Sequence, residues 1–124
     1  MKKISDKISL IPLSNINAQY KQSISIKDES SNFTYTSCSS VQFSQDPDDT
    51  EAGLKYNITH VSVCNRQEIM AYNNKKVVAR MYMMNRDTCY MGTTDVPAKV
   101  IVTPAQGTLY KVEIKVSLPY PLDL

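Results

Sequence analysis

The segment Tyr110-Lys111-Val112-Glu113-Ile114-Lys115-Val116-Ser117-Leu118 constrains the fold more than any other. Its apolar residues Tyr110, Val112, Ile114, Val116 and Leu118 alternate without exception with Lys111, Glu113, Lys115 and Ser117. A period of two is the period of a β-strand, so one face of this segment is turned to a core and the other to water. Leu118-Pro119-Tyr120-Pro121 ends it, because neither proline can donate to a ladder and both favour an extended, polyproline-like tail.

The same period recurs upstream. Ser23 to Lys27, preceded by Tyr20, puts Tyr20, Ile24 and Ile26 on one face and Lys21, Ser23, Ser25 and Lys27 on the other. From Phe33 to Phe43, Phe33, Tyr35, Val41 and Phe43 share a face opposite Thr34, Thr36, Cys38, Ser40 and Gln42. The run reads as one long strand, bent or bulged at the small residues Ser37 to Ser40. Gln45 to Gly53 then reads as a connection, since Pro47 cannot donate to a ladder and Gly53 permits a positive φ. Leu54, Tyr56 and Ile58 resume on one face while Val61 and Val63 fall on the other, which predicts a second bulge near His60.

Arg66 to Tyr72 is the one segment of helix-like composition, with Asn65 as its N-cap, Glu68 at the third helical position and Asn73-Asn74 as its end. Lys76 to Met84 is apolar on both faces, with Val77, Ala79, Met81 and Met83 opposite Val78, Tyr82 and Met84, so it is covered on both sides. Cys89 to Gly92 and Lys99 to Thr103 add two more strands. Together these predict a mainly β fold, a β-sandwich or partly closed barrel with one short helix. The second expectation is a single curved sheet packed on that helix. One domain is expected over 1–124, with extended arms at 1–18 and 119–124.

A chain of 124 residues is long enough to bury about two thirds of its unfolded surface without metal or disulfide staples. With 42% hydrophobic and 21% charged residues and only 3 Gly, it is not a disordered, collagenous or membrane chain. The net charge of +2 comes from 14 basic and 12 acidic residues spread along the sequence, which disfavours sequence-specific nucleic-acid binding. Asp6 and Lys7 interrupt the apolar run that a signal peptide needs, so the start reads as that of a non-exported protein. No stretch has the apolar length of a transmembrane helix, and no membrane partner is expected. Cys38, Cys64 and Cys89 are an odd count at wide spacing and read as reduced thiols rather than a disulfide framework. Asn32-Phe33-Thr34 and Asn57-Ile58-Thr59 match a glycosylation pattern that needs a secretory route.

No catalytic or cofactor signature stands out. Asp46, Asp48, Asp49 and Glu51 are clustered carboxylates, but they lack calcium-loop spacing and Pro47 stiffens the backbone, so they read as a solvated loop. His60 with Cys38, Cys64 and Cys89 lacks the paired spacing of a zinc site, and a single His without an orienting neighbour is a generic feature. The glycines Gly53, Gly92 and Gly107 are isolated from one another, so there is no phosphate cradle. Met70, Met81, Met83, Met84 and Met91 serve as core fillers or as an adaptable contact surface. Arg80 shares a face with Val78, Tyr82 and Met84 on a covered strand, so its charge must pair or reach an interface, unless the side chain snorkels at the sheet rim. Arg80, Tyr82 and Met84 are therefore a candidate subunit contact.

The stretch Phe43-Ser44-Gln45-Asp46-Pro47-Asp48-Asp49-Thr50-Glu51-Ala52-Gly53-Leu54-Lys55-Tyr56 resembles a pattern in small β-rich virion proteins of Bacteroidota phages and prophages: an aromatic strand end, an acid- and Thr-rich link, then Ala-Gly-x-x-Tyr. The later order is similar too, with a strand at Val77 to Met84, a turn at Tyr90-Met91-Gly92 and a final strand rising from Gly107 toward Pro119. The resemblance covers roughly residues 41 to 119 by pattern. It implies a non-enzymatic structural role at the neck or tail of the particle, made in the bacterial cytoplasm and acting as a ring-forming homo-oligomer with other virion proteins. It carries no catalytic residue and no cofactor. The short link after Cys64 and the lack of a closing helix depart from the pattern. A ring needs two different patches on each subunit, and the expectation is that Asp46, Asp48, Asp49, Glu51 and the tail Pro119, Tyr120, Pro121 reach neighbours. Deleting the tail is then expected to abolish assembly and leave a folded monomer. Two other classes fit the sequence: a small phage-encoded binding or inhibitor protein acting on a host factor, and an exported β-sandwich binding module.

Overall fold

The structure, a computed structural model, describes residues 4–20 and 23–122. The fold is mainly β. In chain order its strands are β1 (Ile4–Pro12), β2 (Ile16–Tyr20), β3 (Ser23–Ile26), β4 (Phe33–Thr36), β5 (Gln42–Thr50), β6 (Gly53–Cys64), β7 (Lys76–Met83), β8 (Thr88–Met91), β9 (Ala98–Pro104) and β10 (Tyr110–Leu118). Eight of them form one antiparallel sheet in the order β4-β1-β7-β9-β10-β6-β5, with β8 also pairing β7, and β2 and β3 form a separate hairpin. The sheet curls part of the way to a barrel without closing. Ser37 N donates to Asp6 O at 2.8 Å and Cys38 N donates to Val63 O at 2.8 Å, so the two residues after β4 are shared between β1 and β6. No helix of the described residues is long and apolar enough to cross a membrane.

The curl wraps one core. Ile8, Leu10, Ile58, Ala79, Met81, Val100, Val112 and Ile114 are sealed within it, with Leu118 at its margin. A second, smaller core lies on the other side of β7, where Ile11, Ile16, Val78 and Tyr90 meet Ile24 and Ile26 of the β2–β3 hairpin. Strand β7 is thus covered on both faces, as its sequence requires. The alternation of β10 is also as read, with Val112, Ile114, Val116 and Leu118 buried and Lys111, Lys115 and Ser117 exposed. Met81, Met83 and Met91 are core fillers, while Met70 and Met84 are exposed.

Several expectations are corrected. Residues 4–18 are not the extended arm expected over 1–18, because β1 is an inner strand between β4 and β7, with Ile8, Leu10 and Ile11 fully buried; residues 1–3 lie outside the described residues. Phe33 to Phe43 is not one strand. β4 and β5 lie at opposite ends of the sheet order, and the chain breaks between them at Ser37, whose Oγ donates to Ser39 O at 2.7 Å and accepts from Val63 N at 3.0 Å. The acidic stretch is a strand rather than a connection, since β5 pairs β6 continuously from Gln42↔Val61 to Thr50↔Gly53. Pro47 is tolerated because β5 is an edge strand, where a missing N–H can face water. No bulge occurs at His60, as β6 keeps its register against β10 from Tyr56 to Cys64 and turns Ile58, His60, Ser62 and Cys64 inward.

The helix is a 3₁₀ turn at Gln67–Tyr72, entered at Arg66 without a side-chain cap from Asn65, and it buries Ile69. Asn74, at φ 64°, ends it as the sequence suggests. Tyr20 belongs to β2, the partner of Ser23–Ile26, and is 73% exposed rather than sharing the buried face of Ile24 and Ile26. The C-terminal segment is not wholly an arm: Pro119, Tyr120 and Pro121 are exposed, but Leu122 turns back into the main core. Residues 123 and 124 lie outside the described residues.

Candidate functional site

Arg80 is held inside its own chain. Asp28 caps the 3₁₀ turn Glu29–Ser31 by accepting from Ser30 N, and that turn aims Glu29 at β7. The Arg80 guanidinium pairs with Glu29 at 3.1 Å and donates through Nε to Tyr90 Oη at 3.2 Å and through Nη1 to Tyr82 Oη at 3.4 Å. Its side chain is only 13% exposed. Burial alone would lower its pKa, but the hydrogen bonds to Tyr82, Glu29 and Tyr90 outweigh it and hold the pKa above the ordinary value. Tyr82 also lies beneath the Lys7 ammonium, 4.6 Å from its ring centroid. Of this trio only Met84, 66% exposed, stands out from the surface.

The acidic residues form a ribbon. The β6–β10 ladder ends at Tyr56↔Leu118, so the pairs Asp48↔Lys55, Asp49↔Leu54 and Thr50↔Gly53 extend beyond it. A tight turn at Glu51-Ala52 closes the ribbon, with Gly53 at φ 118° and Thr50 Oγ1 donating to Gly53 O at 2.7 Å. Asp46, Asp48, Asp49 and Glu51 are all exposed. An extended strand sets Asp46 and Asp48 about 7 Å apart, and among the described residues no group of three His, Cys, Asp or Glu gathers as a metal site. At the root of the ribbon, Gln45 bonds both backbone groups of Leu122, so the tail starts from the same end of the molecule. Arg80 is elsewhere, with β9, β10 and β6 between β7 and β5.

Two surface features escape a sequence reading. One is a lysine row: Lys76 is registered opposite Lys99, and Lys99 opposite Lys115. The alternation of each strand shows these lysines facing water, but only the register brings them side by side. The other is an open cleft of about 340 Å³ whose walls include Tyr20, Val96 and Tyr120, all exposed. Gln19 builds one side of it by donating to Gly92 O at 3.3 Å and accepting from Thr94 N at 3.1 Å.

The interior holds polar groups as well. His60 is fully buried between Ile114 and Phe43 of the flanking strands, neither ring nitrogen has a hydrogen-bond partner among the described residues, and burial pulls its pKa down to about 4. Tyr35 Oη and Ser62 Oγ bond each other at 2.7 Å, and burial raises the Tyr35 pKa. Cys64 and Cys89 are buried and Cys38 is exposed, so these thiols and His60 do not converge on a shared ligand position. In comparison with known proteins, the chain matches no family model, no curated protein and no solved structure.

Proposed function

We propose that this chain is a non-enzymatic structural subunit of a phage particle, at its neck or tail, and that it works by packing against copies of itself and other virion proteins. The observation that carries this reading is the β5–β6 ribbon, which runs past its own sheet and presents Asp48, Asp49 and Glu51 beyond the end of β10, with Asp46 exposed at its root. A projecting two-stranded ribbon has little to pack on within one molecule, and an isolated hairpin is marginal in water. A neighbouring subunit supplies the missing contact. The pattern likeness of residues 41 to 119 to Bacteroidota virion proteins supports the same role, and exposed Pro119, Tyr120 and Pro121 lie near the ribbon's root.

A second reading is favoured by the cleft between Tyr20 and Tyr120: a small binding or inhibitor protein that takes a partner segment there. Aromatic side chains beside polar groups are common in recognition clefts. Native mass by light scattering, with electron micrographs of the same fractions, separates the two. Rings or tubes support the structural role. A monomer at all concentrations counts against it and favours the binding protein.

A further inference from the structure

The outer face of the sheet carries a lysine row and, apart from it, an acidic edge in which Lys55 is registered opposite Asp48. On β7, β9 and β10 stand Lys76, Lys99 and Lys115, all exposed and directly opposite one another across the ladders. Like charges placed so destabilise a sheet, and the neutralisation offered within the chain is small. Lys115 shares Glu113 with Lys111, at 3.4 and 3.1 Å, and among the described residues Lys76 and Lys99 have no ion-pair partner. On the same face, Asp46 is registered opposite Asn57, and Asn57 opposite Ser117, two residues along from Lys115. Asp46 and Asp48 of β5 are thus the acidic edge, with β6 and β10 between them and the lysines of β9 and β7.

Between the row and the edge the surface dips. The β9–β10 ladder stops at Lys99↔Lys115, so Val116 and Ser117 lack a neighbour on that side. An open depression of about 420 Å³ results, bounded by Pro97, Lys115, Ser117 and Thr59. The ribbon cannot fold across its own sheet to reach these lysines, because its strands are ladder-bonded to β6 in place. Its tip nevertheless extends beyond β10, where another molecule can meet it.

Resting on the packing role proposed above, we infer that this face is a contact between two copies of the chain, in which Asp46 and Asp48 of one copy lie against Lys76, Lys99 and Lys115 of the other. Charge complementarity selects the occupant: the same chain holds a cationic row neutralised only at Lys115, by Glu113, and an acidic edge with Lys55 alone registered against it, and its own ladders keep the two apart. Such a contact forms faster and more tightly at low salt.

The test uses two charge-reversed proteins, Lys99→Glu/Lys115→Glu and Asp46→Lys/Asp48→Lys, each checked by circular dichroism and thermal melting against the wild type. Wild-type protein is expected to associate, less so in high salt, and each variant alone to associate at least about tenfold more weakly. An equimolar mixture of the two variants is expected to regain association, because the reversed row of one then meets the reversed acidic edge of the other. If a reversed protein fails to fold, Lys99→Gln and Asp46→Asn take its place, and each is expected to weaken association. No recovery in the mixture of folded variants overturns the contact. A wild-type oligomer indifferent to salt and to both variants also overturns it, while leaving the packing role standing. Wild-type protein that is monomeric throughout overturns both. Binding of a duplex DNA fragment, lost in Lys99→Glu/Lys115→Glu and unaccompanied by self-association, overturns it in favour of a polyanion site.

Discussion

Gln45 grips Leu122 by both of its backbone groups: Leu122 N donates to Gln45 Oε1 at 2.6 Å, and Gln45 Nε2 donates to Leu122 O at 3.2 Å. The grip turns the chain back after Pro121 and seats the Leu122 side chain in the main core. Leu122→Ala is therefore expected to lower unfolding free energy by about 2–4 kcal/mol, in the range of other buried leucines. Gln45→Leu is expected to lower it by about 1–2 kcal/mol by stranding those two backbone groups. Urea unfolding checks both. A fully stable protein truncated after Tyr120 would show that the seat contributes nothing. The same geometry alters what tail deletion reports, since it loosens the fold as well as any contact between subunits.

His60 makes stability depend on pH. Burial holds its folded pKa, about 4, below the ordinary histidine value of 6.5. Between these values the unfolded chain binds a proton that the folded one does not, so stability is fully present above about pH 6.5 and is lost as pH falls toward 4. A shift of this size corresponds to about 3 kcal/mol. His60→Leu is expected to flatten the urea midpoint between pH 6.5 and 5 without lowering it at pH 7, because two unpartnered buried nitrogens are removed. A midpoint equally steep in the variant would assign the dependence to other groups.

Tyr35 and Ser62 form a closed pair, each meeting the other's hydroxyl in a buried setting. Tyr35→Phe and Ser62→Ala are each expected to cost about 1–2 kcal/mol, since either leaves the other hydroxyl unsatisfied. The double substitution is expected to cost less than the two combined, with a coupling of at least about 0.5 kcal/mol. Strict additivity in the four-protein cycle would dismiss the bond as an energetic unit.

Gly92 and Gly107 both have positive φ, yet they are expected to tolerate alanine very differently. A Cβ on Gly92 would sit 2.8 Å from Ala98 N and 3.2 Å from Val96 O, all backbone, whereas one on Gly107 meets nothing within 4 Å. Gly107→Ala is expected to cost about 1 kcal/mol for its left-handed conformation. Gly92→Ala adds a clash with backbone that cannot swing aside and is expected to cost more than twice that. Melting temperatures of the two variants decide it.

What the sequence made legible follows from solvent. Strand β10 was readable because water lies along one whole face and enforces the alternation, and β7 because two cores leave it almost no polar residue. β1 was hidden: Asp6 and Lys7 are exposed and its pairing with β7 shifts register between Ile4 and Ile8, so no single period spans it. β5 was hidden by composition, as Asp and Pro disfavour strands in general but suit an unpaired edge. In β6, inward His60 and Ser62 between outward Val61 and Val63 reversed the usual polarity and imitated a bulge. Arg80 was read as a subunit contact, whereas its partner Glu29 lies in the same chain 51 residues away, and the lysine row exists only through register. No local pattern encodes either.

Strand β10 sits between β9 and β6 in the sheet, yet among the described residues it follows every other strand in sequence. Until it has emerged from the ribosome, β4, β1, β7 and β9 can form one unfinished sheet and the β5–β6 hairpin another, with the Ser37–Cys38 seam between them. Two open edges, one on β9 and one on β6, then stand with their backbone groups unpaired. The nascent protein must therefore stay out of wrong strand pairings until β10 arrives, and a chain cut short before β10 would be prone to aggregate rather than to form a smaller stable domain.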